Sequence, residues 1–377
     1  MMSVPDSFEW SDIPYSQLNA LSQKERQAFL KKEEMNIRQN LGEAVPTVIF
    51  EQIAKKIRKS LSQNNISESE IDSTIKKYGL TDTAKLVEYI GTHKQYGFSY
   101  LSKLAELANA QRDDNAAFYT RQDICFSIIN GLPDLADKTE IRILEPSIGV
   151  GNFLPTLFKK YADIPDVYID AVDIDSNSLE ILQALLRAID VPSNFHLRFI
   201  NDDFLTHNFD IQYDIVIGNP PYKKITKEKA LLNRYKVNAV NKETNNIFSF
   251  FIEKAITLGD TVSLIVPKSL INAPEFNLTR ALMNKYSIGR IIDFGEKGFR
   301  NVKIETINFT LFTNQRPKQT RIESYITNNI ETKEQSYITD TSFPYWLIYR
   351  NNNFDDVAKN MQFGIFSAYR DRSITKN

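Results

Sequence analysis

Asn219-Pro220-Pro221-Tyr222 is the segment of this chain whose residue types are best suited to chemistry. The two prolines fix consecutive φ angles and lack N–H donors, so they predict a rigid corner. Such a corner directs the Asn219 amide oxygen and the Pro220 carbonyl at one amino group, while Tyr222 offers a flat face for a planar ring. That combination suits an aromatic amine such as adenine. A plain strand-ending turn is the alternative interpretation, because Asn and Pro are strong turn formers.

The residues before this corner predict its place in a sheet. Residues 213–218 form a short apolar run, which predicts a buried parallel strand. The corner therefore follows the carboxyl end of a strand, where open α/β sheets bind their ligands. Upstream, residues 143–154 predict a strand, a tight turn at Gly149 and Gly151, and a helix. No Lys-Ser/Thr pair follows these glycines, which disfavours an NTPase phosphate loop.

Acidic residues end the next two predicted strands. Asp173 lies about 20 residues beyond the glycines, at the distance typical of an acid that binds ribose hydroxyls. Helix capping is the alternative role at this position, although Asp175 or Ser176 already suits that task. The following strand ends at Asp203-Phe204, an acid and a ring able to flank an adenine moiety. Together these strand ends predict a nucleoside-bearing ligand laid across the sheet.

Strands that alternate with helices predict an α/β fold with a doubly wound, mostly parallel, seven-stranded sheet. The predicted strands are 141–144, 168–172, 199–200, 214–217, 262–266, 288–293 and 304–313. The predicted helices are 122–130, 152–160, 176–188, 247–258 and 275–286. The last strand follows its predecessor after a short loop, so an antiparallel orientation is open to it. Apolar residues at helical spacing before residue 110 predict helices ahead of this sheet.

Composition limits the remaining possibilities. The apolar share of 42% and charged share of 25% are ordinary for a globular protein. No apolar run approaches the roughly 20 residues of a membrane span, and the N-terminus does not resemble a secretory signal. The single cysteine, Cys125, excludes an internal disulfide and favours a reducing, cytoplasmic setting. Three scattered histidines offer no zinc set, so no metal site is predicted.

Basic residues are concentrated just after the corner. Residues 223–242 hold seven basic residues and one acid, Glu228, although the net charge of the whole chain is −1. A solvated surface loop is the alternative, but the position beside a base-binding corner favours contact with nucleic-acid phosphates. The predicted phosphate contacts are Lys223, Lys224, Lys227 and Lys229.

The order of these motifs resembles that of N6-adenine-specific DNA methyltransferases of the gamma motif order, which serve restriction-modification and phage-defence systems. The motifs that carry the resemblance are Phe118-Tyr119-Thr120, Glu145-Pro146-Ser147-Ile148-Gly149-Val150-Gly151-Asn152-Phe153, Asp173-Ile174, Asp203-Phe204 and Asn219-Pro220-Pro221-Tyr222. Asn246-Ile247-Phe248 and Val266-Pro267 resemble later family motifs. The resemblance covers residues 118–313.

This resemblance implies a Rossmann-like sheet that binds S-adenosylmethionine and transfers its methyl group to N6 of an adenine flipped out of double-stranded DNA. The implied cofactor contacts are Phe118, Tyr119, Thr120, Glu145, Pro146, Ser147, Gly149, Gly151, Phe153, Asp173, Ile174, Asp203, Phe204 and Asn219. Catalysis falls to Asn219, Pro220, Pro221 and Tyr222, and base stacking to Tyr222 and Phe299. RNA adenine, cytosine N4 and a protein glutamine are alternative acceptors, and a non-catalytic DNA-binding subunit is an alternative role.

The resemblance also implies a domain plan. Residues 1–110 form the expected helical domain, 111–315 the catalytic domain, and 316–377 an extension that is the start or a remnant of a recognition region. Many members of the family carry a long target-recognition domain after the catalytic one. Sequence recognition is therefore expected in the N-terminal helices, in a segment outside this sequence, or in a separate specificity or restriction subunit.

Overall fold

The structure is a computed structural model that describes residues 22–32, 68–113, 120–296 and 304–361. The chain divides into two compact units, residues 1–66 and 67–377. In the first unit, residues 23–32 form helix α1. Ser22 and Glu25 cap its start reciprocally, because the Glu25 carboxylate accepts from Ser22 N (3.0 Å) and the Ser22 hydroxyl accepts from Glu25 N (3.4 Å).

Helices precede the sheet in the second unit, as the sequence predicts. They are α2 (Glu68–Tyr78), α3 (Thr83–Thr92) and α4 (Phe98–Asp113). Asp82 caps α3 by accepting a hydrogen bond from Lys85 N at 3.0 Å. Ile71, Ile75 and Leu86 are buried on the apolar faces of these helices.

The described residues contain one sheet of nine strands. The strands are β1 (Glu140–Glu145), β2 (Asp166–Asp173), β3 (Phe195–Asn201), β4 (Tyr213–Gly218), β5 (Gly259–Pro267), β6 (Ser287–Gly295), β7 (Thr306–Phe312), β8 (Gln319–Ser324) and β9 (Asn329–Glu334). Their order across the sheet is β3-β2-β1-β4-β5-β7-β6-β8-β9. Strands β3, β2, β1, β4 and β5 run parallel, and β7 is antiparallel to both β5 and β6. The predicted fold class and the seven predicted strands are confirmed.

Two strands extend the predicted sheet. Strand β8 pairs in parallel with β6, and β9 pairs antiparallel with β8. The sequence does not reveal β9 because none of its six residues is buried, so the edge strand lacks an apolar pattern. Chain order reverses between β1 and β4, where β2 and β3 lie on one side and β5 on the other. This switch point is where a doubly wound sheet binds its ligand.

The described part of the sheet region contains nine α-helices. They are α5 (Gln122–Asn130), α6 (Leu154–Lys160), α7 (Ser176–Leu186), α8 (Lys229–Lys236), α9 (Ile247–Leu258), α10 (Ser269–Asn272), α11 (Asn277–Met283), α12 (Gln335–Ile338) and α13 (Asn352–Ala358). The first, second, third, fifth and seventh of these lie close to the five predicted positions, and the other four are not predicted. Helix α8 occupies part of the segment expected as a basic loop, and it buries no side chain. Among the described residues, no helix is long and apolar enough to cross a bilayer.

Two apolar cores pack on the sheet, and alternation along the strands supplies both. On β1, Ile143 belongs to one core and Leu144 to the other. Tyr222 packs against both cores. The corner that follows β4 is therefore anchored to both apolar cores.

Candidate active site

Three of the predicted motifs meet at the corner after β4. The Ser147 hydroxyl donates to the Asn219 backbone carbonyl at 3.0 Å. The Tyr222 hydroxyl donates to Asn219 Oδ1 at 2.6 Å, and Asn219 Nδ2 donates to Thr120 Oγ1 at 3.3 Å. Because both ends of the Asn219 amide have partners, its orientation is fixed before any substrate arrives.

The glycine motif approaches this corner through its proline. A Cβ atom on Gly218 would lie 3.2 Å from Pro146 Cδ, so the ends of β1 and β4 are in close contact. The parallel register of the two strands, with Ile143 opposite Ile215, brings these ends to one edge of the sheet. The structure thus brings together the cofactor motif and the catalytic motif that the sequence predicts.

Asp173 organises the glycine turn. Its Oδ2 accepts from Gly149 N at 2.8 Å and its Oδ1 accepts from Asp175 N at 3.0 Å. Burial raises the pKa of Asp173, and these backbone donors act in the opposite direction. Each oxygen keeps a second lone pair. The ribose contact predicted for Asp173 therefore remains open and stays a prediction.

Glu145 presents a buried, unpaired acceptor at the end of β1. The residue is 2% exposed, and Oε2 has no hydrogen-bond partner in the part of the chain that the structure describes. Burial, followed by the charge of Asp173, raises the pKa of Glu145 well above its usual value. A buried acceptor of this kind suits a cationic ligand group.

The remaining predicted cofactor contacts fall into two groups. Ile174 is 71% exposed at the end of β2, as expected of an apolar side chain that a ligand ring covers. Asp203 accepts a hydrogen bond from the Tyr235 hydroxyl at 2.8 Å. Phe153 and Phe204, however, are each 2% exposed and belong to the two apolar cores. Their rings support the site from within, and their cofactor contacts stay predictions.

Three predicted site residues, Phe118, Tyr119 and Phe299, are outside the described residues.

The four lysines expected to contact phosphates are all exposed: Lys223, Lys224, Lys227 and Lys229. Lys224 Nζ lies 3.4 Å from Glu275, and Lys223 Nζ lies 3.5 Å from Glu228. Within the described ranges, no cluster of His, Cys, Asp and Glu side chains is suited to a metal ion.

Sequence reasoning missed Glu106, which lies near the glycine turn. The amide of Asn152 donates to Glu106 at 2.8 Å, although 46 positions separate the two residues. Glu106 is one of several charged residues between apolar positions on α4, and no local signal marks it. Only the packing of α4 against the sheet region reveals the contact.

Residues 19–299 match the Eco57I restriction-modification methylase family, which is more than half of the chain. The chain belongs to this family. The family description does not name the methylated base, so adenine specificity stays a prediction.

Curated relatives agree with the Eco57I family assignment. The type II methyltransferase M.CvrRI of Paramecium bursaria Chlorella virus XZ-6E is 30% identical over 177 residues, covering 46% of this chain and 41% of that protein. The type II methyltransferase M.PstI of Providencia stuartii is 28% identical over 185 residues, covering 42% of this chain and 34% of that protein. The chain therefore spans less than half the length of either relative in these matches.

Solved structures confirm the fold. The type IIG restriction endonuclease BpuSI superposes with a TM-score of 0.54 and 18% identity, over 70% of this chain and 36% of that one. A Listeria monocytogenes protein described as a class I S-adenosylmethionine-dependent methyltransferase gives a TM-score of 0.50 and 15% identity, over 63% and 83% of the two chains. The Eco57I family and the class I fold imply S-adenosylmethionine as the methyl donor. The Gly149 turn, the acid after it and the buried Glu145 oxygen are suited to hold it.

The two glycines of the turn allow a direct test of this cofactor site. A Cβ on Gly149 (φ +53°) would meet nothing within 4 Å, whereas a Cβ on Gly151 (φ +73°) would lie 2.6 Å from Leu182 Cδ1 and 2.9 Å from Leu154 Cδ1. Gly149→Ala should destabilise folding by about 1–2 kcal/mol from backbone strain alone and weaken S-adenosylhomocysteine binding, since the new methyl occupies ligand space. Gly151→Ala should carry the same backbone strain and should lose roughly 1–3 kcal/mol more from overpacking.

Thermal unfolding and calorimetric titration of both variants measure these effects. Equal stabilities for the two variants would contradict the packing argument. Unchanged cofactor affinity in a folded Gly149→Ala protein would show that the ligand does not approach this turn.

Proposed function

We propose that this chain transfers the methyl group of S-adenosylmethionine to the exocyclic N6 amino group of an adenine flipped out of double-stranded DNA, within a restriction-modification or phage-defence system. The arrangement of Asn219, Thr120, Ser147 and Tyr222 at the switch point carries the proposal. It holds the Asn219 amide at the edge of the sheet where the glycine motif also lies. The names of the relatives, which are type II methyltransferases, support DNA as the acceptor.

Asn219 and Pro220 bind the amino group in this mechanism. The exocyclic nitrogen of adenine is a poor nucleophile because its lone pair is delocalised into the ring. Hydrogen bonds from its two N–H groups to Asn219 Oδ1 and to the Pro220 carbonyl draw it toward tetrahedral geometry and localise the lone pair. The same acceptors stabilise the positive charge that develops on nitrogen. When bound, S-adenosylmethionine supplies a methyl group already activated by the sulfonium.

Tyr222 holds Asn219 in position through its hydroxyl and offers its ring to the base. Its hydroxyl donates to Asn219 Oδ1 at 2.6 Å and so fixes the orientation of the amide that is proposed to contact the substrate. Burial raises the pKa of Tyr222 well above its usual value, so the hydroxyl remains a donor across the physiological pH range. Stacking of the flipped base on this ring offsets part of the unstacking cost, by roughly 1–3 kcal/mol.

Recognition is proposed to lie partly outside the catalytic domain. The proposed domains are a helical region over residues 1–110, a catalytic domain over 111–315 and an extension over 316–377. The chain covers 41% of M.CvrRI in the match, so recognition in a further segment or a separate specificity or restriction subunit accords with the proposal.

The test is transfer of radiolabelled methyl from S-adenosylmethionine to unmethylated genomic DNA, with RNA and protein extract as parallel acceptors. Label recovered as N6-methyladenine after nucleoside digestion is the expected result. Label recovered as N4-methylcytosine, or in RNA or protein, would overturn the acceptor. Intact cofactor binding without transfer to any acceptor would favour a non-catalytic subunit or a requirement for a recognition partner.

The exposed lysines give a second test. Replacing both Lys227 and Lys229 with glutamine should lower the slope of log K against log salt by about 0.9 for each lost phosphate contact. Lys159 and Lys318 are exposed at the opposite, amino edge of the sheet and provide a matched double substitution to glutamine. Salt-titrated duplex binding measures the slope. Equal slopes for the two double variants would remove this surface from the DNA interface.

A further inference from the structure

A buried carboxyl from the N-terminal helices reaches the glycine turn. Glu106 on α4 accepts a hydrogen bond from Asn152 Nδ2 through Oε1 at 2.8 Å. Asn152 follows Gly151 directly and is 5% exposed, and its carbonyl accepts from Gln122 Nε2 at 3.0 Å. Helix α4 is thereby joined to the loop that carries the cofactor motif.

Three buried oxygens have no hydrogen-bond partner among the residues the structure describes, two of them in this contact and one at the start of the glycine motif. They are Glu106 Oε2, Asn152 Oδ1 and Glu145 Oε2. Buried polar atoms in folded proteins are almost always paired. All three atoms are acceptors, so a donor is what they lack. A ligand with several N–H groups and a positive charge would satisfy them.

Both carboxyl groups act electrostatically on one other residue, Cys125. After burial itself, the charges of Glu145 and Glu106 are the largest causes that raise the pKa of the Cys125 thiol. Burial raises the pKa of Glu106 to about 8, opposed by its hydrogen bond from Asn152. The buried carboxyl is therefore held largely neutral near pH 7, and a nearby cation would favour its charged form.

We infer that Glu106, held by Asn152 as a positioning residue, binds the α-ammonium group of the methionine part of S-adenosylmethionine beside Glu145. An ammonium donates three hydrogen bonds, and carboxylate acceptors bind it more strongly than neutral ones. Helix α4 then completes the cofactor site. The inference rests on S-adenosylmethionine as the methyl donor and does not depend on the acceptor that is methylated.

The experiment compares two ligands that differ in this ammonium. S-adenosylhomocysteine carries the amino-acid group, whereas 5′-methylthioadenosine has the same nucleoside and thioether without it. Glu106→Gln should weaken S-adenosylhomocysteine binding by about 10- to 100-fold, the range expected for a lost hydrogen bond to a charged group. Its binding of 5′-methylthioadenosine should stay within about twofold of wild type, because no contact with that ligand is lost.

Two further variants separate binding from folding. Glu88 is exposed on α3, and Glu88→Gln is the matched control that should leave both affinities unchanged. Asn152→Ala removes the positioning contact and should also weaken S-adenosylhomocysteine selectively. Glutamine at position 106 keeps an acceptor for the Asn152 amide, so this variant is expected to fold, and its Tm checks that expectation.

Three outcomes would overturn the inference. Equal weakening of both ligands in Glu106→Gln would mean that the contact only holds the glycine turn in place. Unchanged binding of both would exclude Glu106 from the site. Failure of the wild-type chain to bind S-adenosylhomocysteine would overturn this inference together with the cofactor assignment. Selective loss in a chain that methylates no DNA would support it while the proposed function fails.

Discussion

Asn219→Ala is expected to reduce the rate of methyl transfer by about 10²- to 10³-fold, the scale seen when one preorganised group is removed from a site of developing charge. In the proposed mechanism the variant loses the oxygen that accepts from the adenine amino group, so the nitrogen lone pair stays delocalised. The cofactor contacts proposed for the glycine turn and for the ends of the earlier strands are untouched by this substitution. S-adenosylhomocysteine affinity should therefore remain close to that of the wild type.

Single-turnover transfer and calorimetric titration measure the two halves of this prediction. Asn360→Ala, an exposed asparagine beyond α13, serves as a matched control and should leave both quantities unchanged. Near-normal transfer by Asn219→Ala would contradict the mechanism. Loss of S-adenosylhomocysteine binding would instead show that the cofactor contact implied for Asn219 is essential for binding.

Sequence patterns predict the fold well where apolar runs are unambiguous. Helices α5 and α9 begin and end at the predicted residues, because each apolar face stops at a glycine. Strand β3 was predicted only as residues 199–200, although it spans Phe195–Asn201. Its charged and polar residues, including His196 and Arg198, conceal the alternation. Strands β8 and β9 are not predicted because polar and charged residues also interrupt their apolar pattern.

The residues of the candidate site also differ in how far the sequence alone predicts them. Asn219 and Gly149 are visible in the sequence because their chemistry depends on local backbone, namely a proline corner and a positive φ. Glu106 is not visible, because its role depends on how α4 packs against a turn 46 residues later. The Tyr222 hydroxyl is intermediate: the residue was predicted for its ring, and the structure adds its hydrogen bond to Asn219.

A buried charged residue lies at the end of β6, at the same edge of the sheet as the switch point but beyond β5 and β7. Asp293, near the end of β6, is fully buried, and its Oδ2 lies 2.8 Å from Lys268 Nζ. The Tyr349 hydroxyl donates to the same oxygen at 2.5 Å, and Gly295 N donates to Oδ1 at 2.9 Å. These contacts hold together the residues that follow β5, the end of β6 and the segment before α13.

Lys268→Met is expected to lower the free energy of unfolding by about 3 kcal/mol, the lower end of the range for breaking a buried ion pair. The loss is large because Asp293 keeps its charge inside the fold without its cation. It is not larger because Tyr349 and Gly295 still donate to the carboxylate. Chemical denaturation measures the change.

A double variant identifies the cause of this loss. Asp293→Asn in the Lys268→Met background removes the uncompensated charge while keeping an acceptor for Tyr349, so it should recover most of the lost stability. Lys359→Met is the matched surface control, because Lys359 pairs with Asp356 where both side chains are 72% exposed. That pair should contribute less than about 0.5 kcal/mol. If the double variant were no more stable than Lys268→Met alone, lost packing of the lysine stem rather than the buried charge would account for the effect.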